Sequence, residues 1–79
     1  MAPLTPRMFR DILIDANIMP DDVTAAINQI ADVKTRAKAF NAWEYPTQFI
    51  RTDPLIDQIG EFFNLTPEDI DNMWIGVLA

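Results

Sequence analysis

The 79-residue chain predicts an all-α fold, a small bundle of four to five short helices forming one domain over residues 1–79. Apolar residues recur at three- and four-residue spacings, and no window alternates apolar with polar residues long enough to argue for a sheet. A capping residue stands directly before a proline at Thr5-Pro6, Asp53-Pro54 and Thr66-Pro67, the pattern of a helix start. With 49% apolar and 23% charged residues, the composition is that of a globular chain rather than a disordered one.

The first helix runs from the Thr5 cap and Pro6 to about Ala16. Phe9, Ile12, Leu13 and Ala16 lie along one face, and Asn17 is suited to the left-handed conformation that ends a helix. Ile18-Met19-Pro20 reads as a tight apolar turn. Asp21 or Asp22 then caps a short second helix with Val23, Ala26, Ile27 and Ile30 inward. Asp32 caps the third, for which Val33, Ala37, Phe40 and Trp43 form the expected buried face and Lys34, Arg36, Lys38 and Asn41 the outward one.

Pro46 removes a backbone donor and disfavours helical angles at Tyr45, so a kink or break is expected there. The fourth helix starts at Asp53-Pro54 and carries a wide stripe, Leu55, Ile56, Ile59, Phe62 and Phe63. Gly60 lies inside it at a cost of ~1 kcal/mol relative to alanine, a penalty usually offset by close packing of another backbone. Asn64 ends that helix. Thr66-Pro67-Glu68-Asp69 opens the fifth with a cap, a proline and two carboxylates at the positive end of the helix dipole. Ile70, Met73, Trp74, Val77 and Leu78 follow as its apolar face.

A chain this short encloses a small core, and the absence of Cys and His removes disulfides and Cys/His zinc as sources of extra stability. A partner or self-association is therefore an expected source of stability. The first ten residues hold Pro3, Pro6, Arg7 and Arg10 with no apolar run, unlike a signal peptide, and no stretch approaches the ~20 apolar residues of a membrane span. No membrane association is expected.

The net charge of −6 is unevenly distributed: residues 1–51 carry all six basic and six acidic residues, whereas residues 52–79 carry six acidic and none basic. Nucleic-acid binding is not expected, because phosphate contacts need clustered Lys and Arg. The one basic cluster, Lys34, Arg36 and Lys38, reads as a solvated helix face.

Without His or Cys the usual general base, metal ligand and thiol nucleophile are missing, and the carboxylates fall at predicted caps or on polar faces. Asp69-Ile70-Asp71-Asn72 lacks the glycine turn and closing glutamate of a calcium loop, and neither Gly60 nor Gly76 lies in a phosphate-binding fingerprint. No catalytic residue, cofactor or metal site is expected. The eight aromatic residues are many for so small a core, and Trp, Tyr and Met are enriched at interfaces. Tyr45, Phe49, Phe63, Trp74 and Leu78 are the candidate contact residues. Trp74 either closes the core against Phe62 or Phe63 or anchors in a partner; the need of Ile70, Met73 and Val77 for cover favours internal packing.

Residues 32–74 contain the runs Asp32-Val33-Lys34-Thr35-Arg36-Ala37-Lys38-Ala39, Trp43-Glu44-Tyr45, Phe49-Ile50-Arg51-Thr52-Asp53-Pro54-Leu55-Ile56 and Leu65-Thr66-Pro67-Glu68-Asp69-Ile70-Asp71. In these runs the chain resembles short proteins encoded in tailed-bacteriophage genomes, which share an Arg-Ala-Lys-Ala run, a Trp-Glu-Tyr, an Arg-x-x-Pro-Leu turn and a Leu-Thr-x-x-x-Ile-Asp helix start. Pro46 departs from that pattern, in which a helix-compatible residue follows the tyrosine.

The resemblance implies a small virion or tail-region component that contacts other virion proteins or further copies of itself, located in the virion and in the host cytoplasm during assembly. The acidic C-terminal third supports a different expectation, an intracellular inhibitor or adaptor for a basic site on a host protein. At the corner between the third and fourth helices, Trp43 is expected in the core, with Glu44 and Arg51 paired or facing solvent.

Overall fold

The computed structural model describes all 79 residues and contains five helices: α1 (Pro6–Asp15), α2 (Pro20–Asn28), α3 (Val33–Glu44), α4 (Pro54–Phe62) and α5 (Pro67–Leu78). Four of them have proline at the first helical position, where its missing N–H removes a donor that would have no partner. The caps are local and satisfy the free N–H groups of each first turn. Thr5 Oγ1 accepts from Met8 N–H, Asp32 Oδ2 from Thr35 N–H, and Asp53 Oδ1 from Leu55 N–H. Thr66 and Asp69 form a reciprocal capping box.

α2 departs from expectation. It begins at Pro20, so Pro20 belongs to the helix and not to a turn, and neither Asp21 nor Asp22 is its cap. Asp22 instead reaches back from the third helical position to accept from Met19 N–H at 2.9 Å. α2 and α3 are separate helices, and α3 stops at Glu44. The expected break before Pro46 is present, but the closing residue of α3, Tyr45 at φ −110° and ψ −3°, stays in the right-handed helical region rather than becoming extended; Pro46, which lacks an N–H, cannot continue the helix.

Two helices end on asparagine in the left-handed region, Asn17 at φ 65° and Asn64 at φ 59°. Ile18 N–H donates to Leu13 O at 2.9 Å after α1, and Leu65 N–H to Gly60 O at 2.8 Å after α4, the six-to-one bond of a Schellman turn. The second turn explains Gly60. A Cβ there would lie 2.8 Å from Leu65 O and 2.7 Å from Ile70 Cδ1, so the chain folds back over a position where only glycine fits.

Each helix packs against its chain neighbours, and α5 closes the circuit by packing against α1. At the centre Phe9 of α1 meets three aromatic rings: Phe49 at 4.7 Å between centroids, Trp74 at 5.7 Å and Trp43 at 6.4 Å. All four are buried. One strand-like contact accompanies the helices: Leu4 and Phe49 exchange both backbone hydrogen bonds, at 3.0 and 2.7 Å, in an isolated antiparallel bridge. That pairing carries Leu4, which is 0% exposed, into the core although it lies outside every helix.

α3 corrects the expected helical face. Its buried residues are Ala39 and Trp43; Phe40 is half-buried, while Ala37 is exposed and Val33 is 66% exposed. Arg36, expected outward, is half-buried and donates from Nη1 to Ile30 O, bracing the turn between α2 and α3. Two apolar lines run along this helix. The neighbouring helices cover the one through Ala39 and Trp43.

Candidate interaction surfaces

Seven of the twelve carboxylates are engaged as caps or in ion pairs. Asp22, Asp32, Asp53 and Asp69 accept backbone N–H groups at helix starts, Asp11 pairs with Arg7 across one helical turn at 3.7 Å, and Asp57 and Asp71 pair with Arg51. No group of three or more acidic side chains could hold a metal ion. Nor is any helix long and apolar enough to cross a membrane.

Arg51 is the most connected side chain. Its Nε donates to Asp71 Oδ1 at 2.6 Å, Nη1 to Asp57 Oδ1 at 3.0 Å and Nη2 to Pro67 O at 3.2 Å, which ties the turn before α4 to α4 and α5. Desolvation works against its charge, yet the hydrogen bonds to Asp71 and Asp57 outweigh it and hold the guanidinium above its ordinary pKa. Of the two residues expected to pair or to face solvent, Glu44 is exposed on α3, while Arg51 is half-buried and pairs elsewhere. The fork went to carboxylates on the two helices it faces, where it makes bidentate-capable, charge-assisted contacts.

Of the five contact candidates, Phe49 and Trp74 leave the surface, at 1% and 0% exposure. The packing of three rings around Phe9, two tilted and one edge-on, encloses more aromatic volume than so short a chain suggests. Trp74 does pack internally, but its aromatic partner is Phe9 rather than Phe62 or Phe63, and its Nε1 donates to Ala2 O at 2.8 Å. Phe63 is half-buried, packed against the core and set edge-on to Phe62. Tyr45 is 73% exposed and stands edge-on to Phe40 at 6.4 Å, and Leu78 is 43% exposed at the end of α5. The two remaining exposed candidates thus lie at the ends of different helices, Tyr45 just past α3 and Leu78 closing α5.

The structure adds a surface that spacing alone assigned to the core. Asn28, Val33, Arg36, Ala37, Phe40 and Asn41 line an open groove of about 410 Å³ between α2 and α3, with Lys34 and Lys38 exposed on the same helix. A second open groove of about 400 Å³ lies between α1 and α5, lined by Ile12, Asp15, Ala16, Met73, Gly76 and Val77. Ile75, 54% exposed, adds to Leu78 on the outside of α5. Such surfaces are suited to contact with protein, having apolar floors and charged borders.

No protein-family model matches the chain, and no curated protein or solved structure matches it.

Proposed function

We propose that the protein is a non-catalytic structural or assembly component of a tailed-bacteriophage virion, in the tail or head-tail region, acting through protein-protein contacts. The observation that carries the reading is the uncovered apolar line of α3, Val33, Ala37 and Phe40, bordered by basic side chains and ending beside exposed Tyr45. A helix that leaves such a line outside its own core has surface to give to another protein. The same helix carries the Arg36-Ala37-Lys38-Ala39 run of the resemblance. On this reading the protein sits in the virion and, during assembly, in the host cytoplasm. Mass spectrometry of purified particles tests it: the protein is expected in them at several copies, and abundance in infected cells with absence from particles overturns it.

The second reading is an acidic inhibitor or adaptor for a basic host site, motivated by the six acidic residues after Thr52. Four of those six, Asp53, Asp57, Asp69 and Asp71, are engaged in caps or with Arg51, which leaves Glu61 and Glu68 as the carboxylates without an internal ion pair or cap. That weakens the electrostatic case. A host-lysate pull-down that captures a basic protein at low salt and loses it as salt rises would favour this reading over the first.

A further inference from the structure

We propose that the α3 groove receives the outer face of α5 from a second copy of this chain, head to tail. The inference rests on the contact-protein reading above and names one partner for it. Glu68, Asp71, Ile75 and Leu78 are spaced three, four and three residues apart and so share one face of α5, beside the buried line of Ile70 and Trp74. That face combines the exposed apolar side chains of Ile75 and Leu78 with the carboxylate of Glu68, which has no internal partner, and with Asp71, whose carboxylate Arg51 already holds.

The groove on α3 has the opposite charge. Arg36 lines it beside the apolar floor of Val33, Ala37 and Phe40, and Lys34 and Lys38 are exposed elsewhere on the same helix, so α3 carries half of the chain's basic residues. α3 and α5 each have 12 residues, so each presents a contact line of ~18 Å. An amphipathic helix laid in such a groove is a common mode of recognition.

Charge selects the arrangement. A two-fold pairing of α3 with α3 would oppose basic clusters, and one of α5 with α5 would oppose acidic faces; both are disfavoured. The pairing of unlike faces is heterologous, which closes into a ring or continues as a filament. Each copy then uses its groove toward one neighbour and its α5 toward the next.

The test uses the full chain with Ala37→Glu, which places a carboxylate in the groove, and Ile75→Arg, which places a cation on the acidic face. Both positions are exposed, and circular dichroism checks that both variants keep the fold. Contacts of this size lie at the weak end of specific interfaces, so association is read by sedimentation up to ~1 mM protein. The wild-type mass is expected to grow with concentration, each variant alone to associate about tenfold or more weakly, and an equimolar mixture of the two to re-form a complex of at least two chains. The mixture regains assembly because an intact groove on one variant meets an intact α5 on the other. A monomeric wild type, variants that still assemble, or a mixture that stays monomeric overturns the proposal. These outcomes are separate from presence in particles: a chain found in virions that fails this test loses only the self-contact, and one that passes but is absent from virions loses only the virion role.

Discussion

Trp74 donates its indole N–H to the Ala2 carbonyl at 2.8 Å across 72 positions of sequence, so the last helix holds the segment that precedes the first. Leu4, two residues on, is wholly buried and pairs with Phe49 through both backbone bonds. The N-terminal segment is thereby part of the core. Leu4→Ala is expected to cost ~2–5 kcal/mol, as a core truncation does. Urea unfolding at equilibrium measures it, and a loss below ~0.5 kcal/mol would show the segment to be peripheral.

Two glycines inside helices are expected to respond to alanine in opposite directions. At Gly60 the new Cβ would meet the Leu65 carbonyl, a backbone atom fixed by the Schellman turn, whereas at Gly76 nothing lies within 4 Å. Gly60→Ala should destabilise by ~1–3 kcal/mol through overpacking, and Gly76→Ala should stabilise by up to ~1 kcal/mol through helix propensity. Thermal melts of the pair check the sign of each change.

Arg51 joins three segments through a planar fork, a geometry lysine does not reproduce. Its Asp71 and Asp57 side chains are 40% and 56% exposed, so solvent screening limits what the ion pairs contribute. Arg51→Ala is expected to cost ~1–2 kcal/mol, and Arg51→Lys to recover less than half of that. Chemical denaturation of both variants would refute the fork if lysine restored full stability.

The cap of α3 gives a pH dependence. The Thr35 hydroxyl and then the Thr35 N–H hold the Asp32 carboxyl below its ordinary pKa. A folded-state pKa that is depressed contributes stability present above the unfolded value of ~3.9 and lost as pH falls through the folded value. Asp32→Ala should therefore lower Tm at neutral pH, and the gap from wild type should close in strong acid. Melts across that acid range are the check; an undiminished gap would mean that the carboxylate charge plays no part.

Caps were legible because they depend on residues within one turn. Thr5, Asp32, Asp53 and Thr66 each find their partner two or three positions away, and the asparagine helix ends are equally local. Long-range choices were not. Nothing in the residues around Leu4 and Phe49 alternates or pairs visibly, since the bridge joins one residue from each of two irregular segments. The apolar residues of α3 satisfy helical spacing on two lines, and only the placement of its neighbours decides that Ala39 and Trp43 are covered while Val33 and Ala37 are not. The candidate surface was misread for that reason. Counting aromatics against chain length makes Phe49 a contact candidate and keeps Trp74 as one beside its favoured internal packing; the criterion is blind to how rings interlock.

The two buried tryptophans offer a final comparison. Trp43 and Trp74 are both almost fully enclosed, but Trp74 Nε1 has the Ala2 carbonyl while Trp43 Nε1 is buried without a hydrogen-bond partner. Trp43 is held otherwise: Arg10 lies over its ring at 4.1 Å and donates from Nη2 to its backbone carbonyl. Replacing either indole by phenyl removes similar volume, so the cavity costs are comparable. The hydrogen bonding differs. Trp74→Phe gives up a made bond, whereas Trp43→Phe removes a donor whose burial costs ~1–3 kcal/mol. Trp74→Phe is thus expected to destabilise more than Trp43→Phe by ~1 kcal/mol or more, with the Arg10 stacking and carbonyl contact available to phenylalanine at position 43. Denaturant unfolding of both variants under one set of conditions decides it, and equal losses would mean that the Trp43 indole N–H is satisfied in solution by a bound water.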